Sequence, residues 1–138
     1  MRFMILVKAT RETERGVMPG EALIASMAEF HEQLAKAGVL LDASGLQPSA
    51  KGWRVRYDGD RRSVLDGPFV ESKELVAGYT LIQTRSRDEA LEWARRFPNP
   101  AVDGGVAEIE VRQLYDLEDF APSQSIERFR AIGVGNRQ

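Results

Sequence analysis

The order of strand and helix signals along the chain is the feature that most limits its fold. Residues 3–7 alternate two apolar sets, Phe3, Ile5 and Val7 against Met4 and Leu6, so both sides of the segment are apolar. This pattern is typical of a strand in the interior of a sheet. A helical pattern and a second strand follow directly, which predicts a strand–helix–strand unit at the start of the chain.

Two apolar stripes at helical spacing predict the helices. The first stripe follows Pro19-Gly20-Glu21 and ends ahead of Gly38, a residue favoured just past a helix C-terminus. Its members are Leu23, Met27, Phe30 and Leu34. The second stripe begins after Ser86, which with Glu89 forms a capping-box pattern. Its members are Ala90, Trp93, Ala94 and Phe97.

Five further segments predict strands: residues 39–43, the two arms of a hairpin, residues 78–84 and residues 107–112. The hairpin occupies residues 51–65 and turns at Asp58-Gly59-Asp60. Residues 9–17 carry no apolar period and predict a loop. Two βαβ units with a hairpin inserted between them predict an α+β fold of the ferredoxin-like type, with the helices on one face of an antiparallel sheet.

The last 23 residues differ from the rest. Residues 1–115 are expected to form the α+β domain, and residues 116–138 a C-terminal arm with a short amphipathic helix around Ile126, Phe129 and Ile132. The arm is expected either to dock on a neighbouring subunit or to remain disordered.

Composition narrows the class of protein. With 138 residues, 43% of them hydrophobic and 29% charged, the chain matches one ordinary globular domain. No signal peptide or membrane span is expected, so the predicted location is cytoplasmic. A net charge of -2 argues against a nucleic-acid partner, although Arg54, Arg56, Arg61 and Arg62 cluster with Trp53 and Tyr57.

A metal site or a bound cofactor is not expected. The chain has one histidine and no cysteine, and its carboxylates show no recognised ligand spacing. The absence of cysteine also leaves no disulfide framework from which a compartment could be inferred.

The segment Asp66-Gly67-Pro68-Phe69-Val70-Glu71-Ser72-Lys73-Glu74 is the most distinctive motif. It resembles the motif that names the DGPF branch of the YCII-related proteins. The resemblance extends to Met1–Lys8, Ala37–Leu40, Gly45–Pro48 and Ala90–Ala94, in the family's order and over roughly residues 1–115. It implies a homodimer of the dimeric α+β-barrel type, in which two sheets face each other.

The resemblance also implies a catalytic pair, a histidine on the first helix and an aspartate on the next strand. Asp42 matches the aspartate, but the histidine position falls at Met27. His31, the single histidine, lies one helical turn further on. It could replace the missing group only if the register of the helix differs.

Three residues are candidates for acid–base chemistry: His31, Asp42 and Asp66. Asp66 is expected either to shape a rigid corner or to project a carboxylate into a cleft beside Glu71 and Lys73. Candidate ligand-binding residues are Trp53, Pro68, Phe69, Glu71, Lys73 and Tyr79. For each of them the alternative is a structural role, with the aromatic side chains in the core and the charged ones in solvent.

Two functions follow from these observations. One is a homodimeric domain that binds a small molecule in a cleft between the first helix and the sheet, with a possible acid–base enzyme site. The other is a non-catalytic regulatory module linked to transcription, since the resemblance implies an association with sigma-factor-like proteins.

Overall fold

The computed structural model describes residues 1–71 and 73–135. Within these residues the strands are β1 (Arg2–Lys8), β2 (Leu40–Gly45), β3 (Trp53–Asp58), β4 (Arg61–Asp66), β5 (Val76–Gln83) and β6 (Ile109–Gln113). The helices are α1 (Arg11–Glu14), α2 (Glu21–Lys36), α3 (Arg87–Arg95) and α4 (Gln124–Ala131). Short 3₁₀ turns lie at Ser49–Lys51 and Leu117–Asp119.

Four strands form one sheet in the order β2-β5-β1-β6, and every neighbouring pair is antiparallel. Within the described part of the chain, strands β3 and β4 pair only with each other and make a separate two-stranded sheet. The chain therefore has the predicted α+β class, with the hairpin inserted between two strand–helix–strand units.

The core lies between the four-stranded sheet and helices α2 and α3. Phe3, Ile5 and Ile82 contribute from the sheet, while Phe30 and Leu34 contribute from α2. Ala90 of α3 joins the same cluster. Because residues of both helices pack against the same sheet side chains, both helices cover the same face of the sheet.

The opposite face of the sheet, which we call the open face, carries the other set of β1 side chains. Met4 pairs with Leu81 and Leu6 pairs with Tyr79, and directly paired side chains share a face. All four residues are half-buried. The open face is thus apolar along its two central strands but much less buried than the helix-covered face.

Residues 9–17 do not form the predicted loop throughout, because they contain helix α1. The Thr10 hydroxyl accepts the amide proton of Thr13 at 3.2 Å, and the Thr13 hydroxyl accepts that of Thr10 at 2.8 Å. This reciprocal capping supports a four-residue helix without any apolar stripe. The prediction was wrong here because it relied on apolar periodicity alone.

The alternative role for the aromatic side chains of the hairpin, a place in the core, is not found in the structure. Trp53 and Tyr57 are both 66% exposed and Val64 is 67% exposed. The two strands were predicted correctly, but β3 and β4 do not join the four-stranded sheet. Among the described residues, every position of both strands is exposed, so their apolar face is open.

The predicted C-terminal helix is present as α4, and the chain around it returns to β1. Arg2 is only 6% exposed, and its guanidinium donates to the Tyr115 carbonyl at 2.7 Å, the Asp116 carboxylate at 3.1 Å and the Gly135 carbonyl at 2.9 Å. These contacts tie residues 115–135 to the first strand of the same chain. Residues 136–138 of the arm lie outside the described residues.

Candidate functional site

A cleft of about 760 Å³ opens between the first half of α2 and the sheet. Leu23, Met27 and His31 form part of its helical wall, and Val7 and Thr80 belong to its sheet wall. Residues 16–19 and 45–48 border one side, and Phe97, Pro100 and Val102 border another. Its volume is in the range of small-molecule sites, which are typically apolar with a few polar groups.

His31 lies in the wall of this cleft with its imidazole ring held by two hydrogen bonds. Its Nδ1 lies 2.7 Å from the Met27 carbonyl oxygen, and its Nε2 lies 2.8 Å from the Thr80 hydroxyl oxygen. A carbonyl can only accept, so Nδ1 carries a proton. In the neutral imidazole, Nε2 is then the bare nitrogen that accepts the hydrogen of the Thr80 hydroxyl.

Aromatic side chains hold the imidazole ring from the core side. Phe30 meets His31 edge-on with ring centroids 5.6 Å apart, and Phe97 does so at 6.1 Å. Phe30 also contacts Trp93 and Phe97 in the same T-shaped manner. Such edge-to-face pairs have a defined geometry, so the ring plane of His31 is fixed by packing as well as by hydrogen bonds.

Asp42 lies on the open face of the sheet, away from His31. It pairs with Leu81 on β5, and its carboxylate accepts a 2.9 Å hydrogen bond from the Tyr79 hydroxyl. That hydrogen bond raises the pKa of Tyr79, with burial and the charge of Asp42 adding to the effect. His31 packs on the helix-covered face, so the sheet separates these two predicted catalytic residues.

Asp66 ends β4 at the base of the hairpin, is exposed, and is not among the residues that line the cleft. The described residues place no hydrogen-bond donor on its carboxylate. The next peptide bond, Gly67–Pro68, is cis. His31, Asp42 and Asp66 therefore lie at three separate places.

A small network around Ser49 supports the corner that follows Asp66. The Glu14 carboxylate accepts hydrogen bonds from the Ser49 amide, at 3.0 Å, and from the Ser49 hydroxyl. The Ser49 hydroxyl oxygen in turn accepts the Phe69 amide proton at 3.0 Å. The corner is thus seated on the 3₁₀ turn at Ser49–Lys51 and linked to α1, which agrees with a structural role.

Of the predicted ligand-binding residues, Tyr79 borders the cleft, but its side chain lies on the open face, where its hydroxyl bonds Asp42. Trp53, Pro68, Phe69, Glu71 and Lys73 do not border the cleft. Arg54 of the hairpin lies over the Phe69 ring, 3.8 Å from its centroid, and pairs with Glu71 at 3.6 Å. Ser72 of the same motif lies outside the described residues.

Sequence reasoning missed Thr80, Ser49 and Glu14. Thr80 sits between Gly78 and Ile82 on the helix-facing side of β5, and it is a buried polar residue. A polar residue at an inward position of a strand usually has a hydrogen-bond partner, and that signal was available. Ser49 and Glu14 are 35 positions apart, and no sequence pattern joined them.

Within residues 1–71 and 73–135, no three or more His, Cys, Asp or Glu side chains are grouped closely enough to hold a metal ion. None of the helices in this described part is both long enough and apolar enough to cross a membrane.

Comparison with known proteins places the chain in a family. Residues 1–115 match the YCII-related domain. An uncharacterised protein of Rhizobium meliloti (strain 1021) is 32% identical over 95 residues, which cover 69% of this chain and 77% of that protein.

Among solved structures, 5-chloro-2-hydroxyhydroquinone dehydrochlorinase of Burkholderia phenoliruptrix, in complex with 2,5-dihydroxybenzoquinone, gives a TM-score of 0.45 at 13% identity. The match covers 84% of this chain and 95% of that one. From the match over residues 1–115 and the 32% identical relative, the chain belongs to the YCII-related domain family.

Proposed function

We propose that this protein binds a small, largely apolar molecule in the cleft between α2 and the sheet, with His31 as the proton carrier of the site. The observation that carries the proposal is the position of His31 in the wall of an apolar cleft of about 760 Å³, where two hydrogen bonds fix its ring. A pocket of this size with a few convergent polar groups is the usual form of a ligand site.

His31 takes the place that the family resemblance assigned to a histidine one turn earlier. Met27 and His31 are four residues apart on α2, so both face the same cleft. Asp42 is on the other face of the sheet and does not complete the pair. We therefore assign the acid–base role to His31 alone, without the aspartate that the family resemblance implied. Asp66 has a structural role at the base of the hairpin.

A thermal-shift screen against a broad pool of small metabolites tests this function. A ligand present at a hundredfold excess over its Kd adds about 2.7 kcal/mol to the free energy of unfolding. Ala28→Phe is the matched control, because Ala28 borders the cleft and is exposed on α2, so a larger side chain there occupies the space without entering the core. Ligands of the cleft stabilise the native protein and lose this effect in the control. Stabilisation of equal size in both proteins, or in neither, contradicts the proposal.

We further assign the chain to the DGPF branch and to a ferredoxin-like subunit that forms a homodimer through the open face of its sheet. The strand order β2-β5-β1-β6 supports the subunit fold. Met4, Leu6, Leu81 and Tyr79 support the interface, since they form a half-buried apolar surface on the side of the sheet opposite to α2 and α3. A two-fold axis lets the same surface cover itself.

Light scattering of Met4→Glu tests the homodimer. Met4 pairs with Arg112 on β6, so the new carboxylate has a cation beside it within one subunit but would be buried in the interface. The native protein is expected at twice the 15.4 kDa of one chain, and the variant at the single mass. Val106→Glu, at a position that is 98% exposed, serves as the control and stays dimeric. A native protein that is monomeric at micromolar concentration contradicts the interface.

A second candidate is a non-catalytic interaction module with a regulatory protein as its partner. The exposed apolar face of the β3–β4 hairpin favours it, because Trp53, Tyr57 and Val64 are each at least 66% exposed on one side of that hairpin. A pull-down in which Trp53→Ser abolishes capture of a second protein, while the thermal-shift screen finds no ligand, favours this candidate over the first.

A further inference from the structure

We infer that the Thr80 hydroxyl, rather than the His31 imidazole, is the group that contacts the ligand, and that it relays a proton between a weakly acidic ligand hydroxyl and His31. The inference rests on the proposed ligand-binding function of the cleft. It adds Thr80 to that site, specifies that the proton moves from the ligand through Thr80 to His31, and names a chemical class for the ligand.

Both nitrogens of His31 are already engaged within the protein. Nδ1 donates to the Met27 carbonyl at 2.7 Å, and Nε2 meets the Thr80 hydroxyl at 2.8 Å. A ligand in the cleft therefore reaches the ring carbons of His31 but neither nitrogen, unless one of these hydrogen bonds breaks. The base that the cleft offers is accessible through Thr80.

Thr80 is placed to carry out this role. It is part of the cleft wall although it is only 2% exposed. Its hydroxyl gives its hydrogen to Nε2, which leaves oxygen lone pairs that can accept a hydrogen bond. The described residues place no other donor on this oxygen. A hydroxyl is activated when a base lies within hydrogen-bond distance of it and a third group orients that base.

The relay balances in protons. A ligand O–H gives its proton to Thr80 Oγ1 while the hydroxyl proton of Thr80 passes to Nε2 of His31. The ligand becomes an oxyanion, His31 becomes an imidazolium that still donates to Met27, and Thr80 is unchanged. The reverse transfer returns the proton.

The strength of the base limits the ligand class. Imidazole is a moderate base, and proton transfer is efficient when donor and acceptor are of similar strength. An aliphatic alcohol is far too weak an acid for this relay, whereas a phenol or an enol is suitable. The apolar walls of the cleft are compatible with the carbon skeleton of such a compound.

The first test needs no ligand. Because His31 is the single histidine, nitrogen-15 NMR of histidine-labelled protein reports one imidazole without assignment. The neutral ring is expected with the proton on Nδ1 and none on Nε2. Diethyl pyrocarbonate, which attacks a bare imidazole nitrogen, is expected to modify Thr80→Val roughly tenfold faster than the native protein, since one hydrogen bond to Nε2 is lost. Thr80→Ser keeps the hydroxyl and is expected to react as slowly as the native protein.

The second test uses para-nitrophenol, whose ionised form absorbs visible light. The native protein and Thr80→Ser are expected to bind it as the phenolate, with both nitrogens of His31 protonated in the NMR spectrum. Thr80→Val is expected to bind it un-ionised, with the imidazole neutral. If Thr80 had only a structural role, Thr80→Val would not lose ionisation of para-nitrophenol while still binding it.

Several results overturn the relay. They are the opposite imidazole tautomer in the native protein, equal modification rates of native protein and Thr80→Val, and equal ionisation of para-nitrophenol by these two proteins. Binding of other compounds in the cleft, with no binding of para-nitrophenol, overturns the relay and leaves the proposed function in place. If the metabolite screen also finds no ligand, the proposed function fails with it. The NMR test on the native protein stands even if Thr80→Val does not fold.

Discussion

Replacing Gly67 with alanine is expected to lower the free energy of unfolding by about 3 kcal/mol or more. A Cβ atom at this position would overlap the Ser49 carbonyl oxygen and lie 2.7 Å from the Ser49 carbonyl carbon. Both are backbone atoms, so no side-chain rotation can relieve the overlap. Either the hairpin base or the 3₁₀ turn at Ser49–Lys51 has to move.

The overlap would also weaken the hydrogen bonds that hold the Asp66–Phe69 motif against the neighbouring turn. Gly67 donates its amide proton to the Gly52 carbonyl at 3.0 Å, and Phe69 donates to the Ser49 hydroxyl at 3.0 Å. A shift of the turn weakens both. The reason for glycine at the second position of the motif is therefore the close approach of two backbones rather than an unusual φ angle.

Urea unfolding followed by fluorescence measures the loss for Gly67→Ala, with Gly45→Ala as the control. Gly45 ends β2, and nothing lies within 4 Å of the place that its Cβ would occupy. The control is expected to change the free energy of unfolding by no more than about 0.5 kcal/mol. Equal losses in the two variants would contradict the close approach of the motif to Ser49.

Phe30→Ala is expected to cost about 3–5 kcal/mol of unfolding free energy. Phe30 is 4% exposed and makes edge contacts with His31, Trp93 and Phe97, with centroid distances of 5.2–6.1 Å. Removal of its ring leaves a cavity between α2 and α3 and takes away the face against which the imidazole rests. We therefore expect the tautomer signal of His31 to broaden as well.

Phe129→Ala is the matched control for this loss. Phe129 is 48% exposed on α4, and the same truncation there is expected to cost about 0.5 kcal/mol. Chemical denaturation gives both values, and NMR of the single histidine gives the effect on the site. A small loss for Phe30→Ala with a sharp, unchanged His31 signal would mean that Phe30 does not support the imidazole.

Much of the fold was predictable because its signals are local. Strand β1 and helices α2 and α3 follow from apolar residues at spacings of two or of three and four, which mark one face of a strand or helix. The boundaries moved by one or two residues: the strand predicted at residues 78–84 is Val76–Gln83, and that at 107–112 is Ile109–Gln113. Helix α1 was missed because side-chain capping, and no apolar stripe, holds it.

The candidate site was predictable only in part. A cleft between the first helix and the sheet was expected, and it is present with His31 in its wall. His31, Asp42 and Asp66 were each predicted as candidates for acid–base chemistry, and the structure places them apart. Alternation along a strand predicts which residues share a face of the sheet, but a bulge reverses this assignment for the residues beyond it. The bulge between Leu40 and Asp42 in β2 therefore made the face of Asp42 unpredictable from the sequence.

By itself, the sequence determined the strand and helix order, the hairpin and the family, because these depend on patterns within short windows of the chain. Only the tertiary structure decided that the hairpin stands apart from the main sheet, that Ser49 touches Gly67, and that Thr80 lies 2.8 Å from His31. Such contacts join residues 18 to 49 positions apart. Their distances depend on how whole elements pack against one another, and no local periodicity encodes that packing.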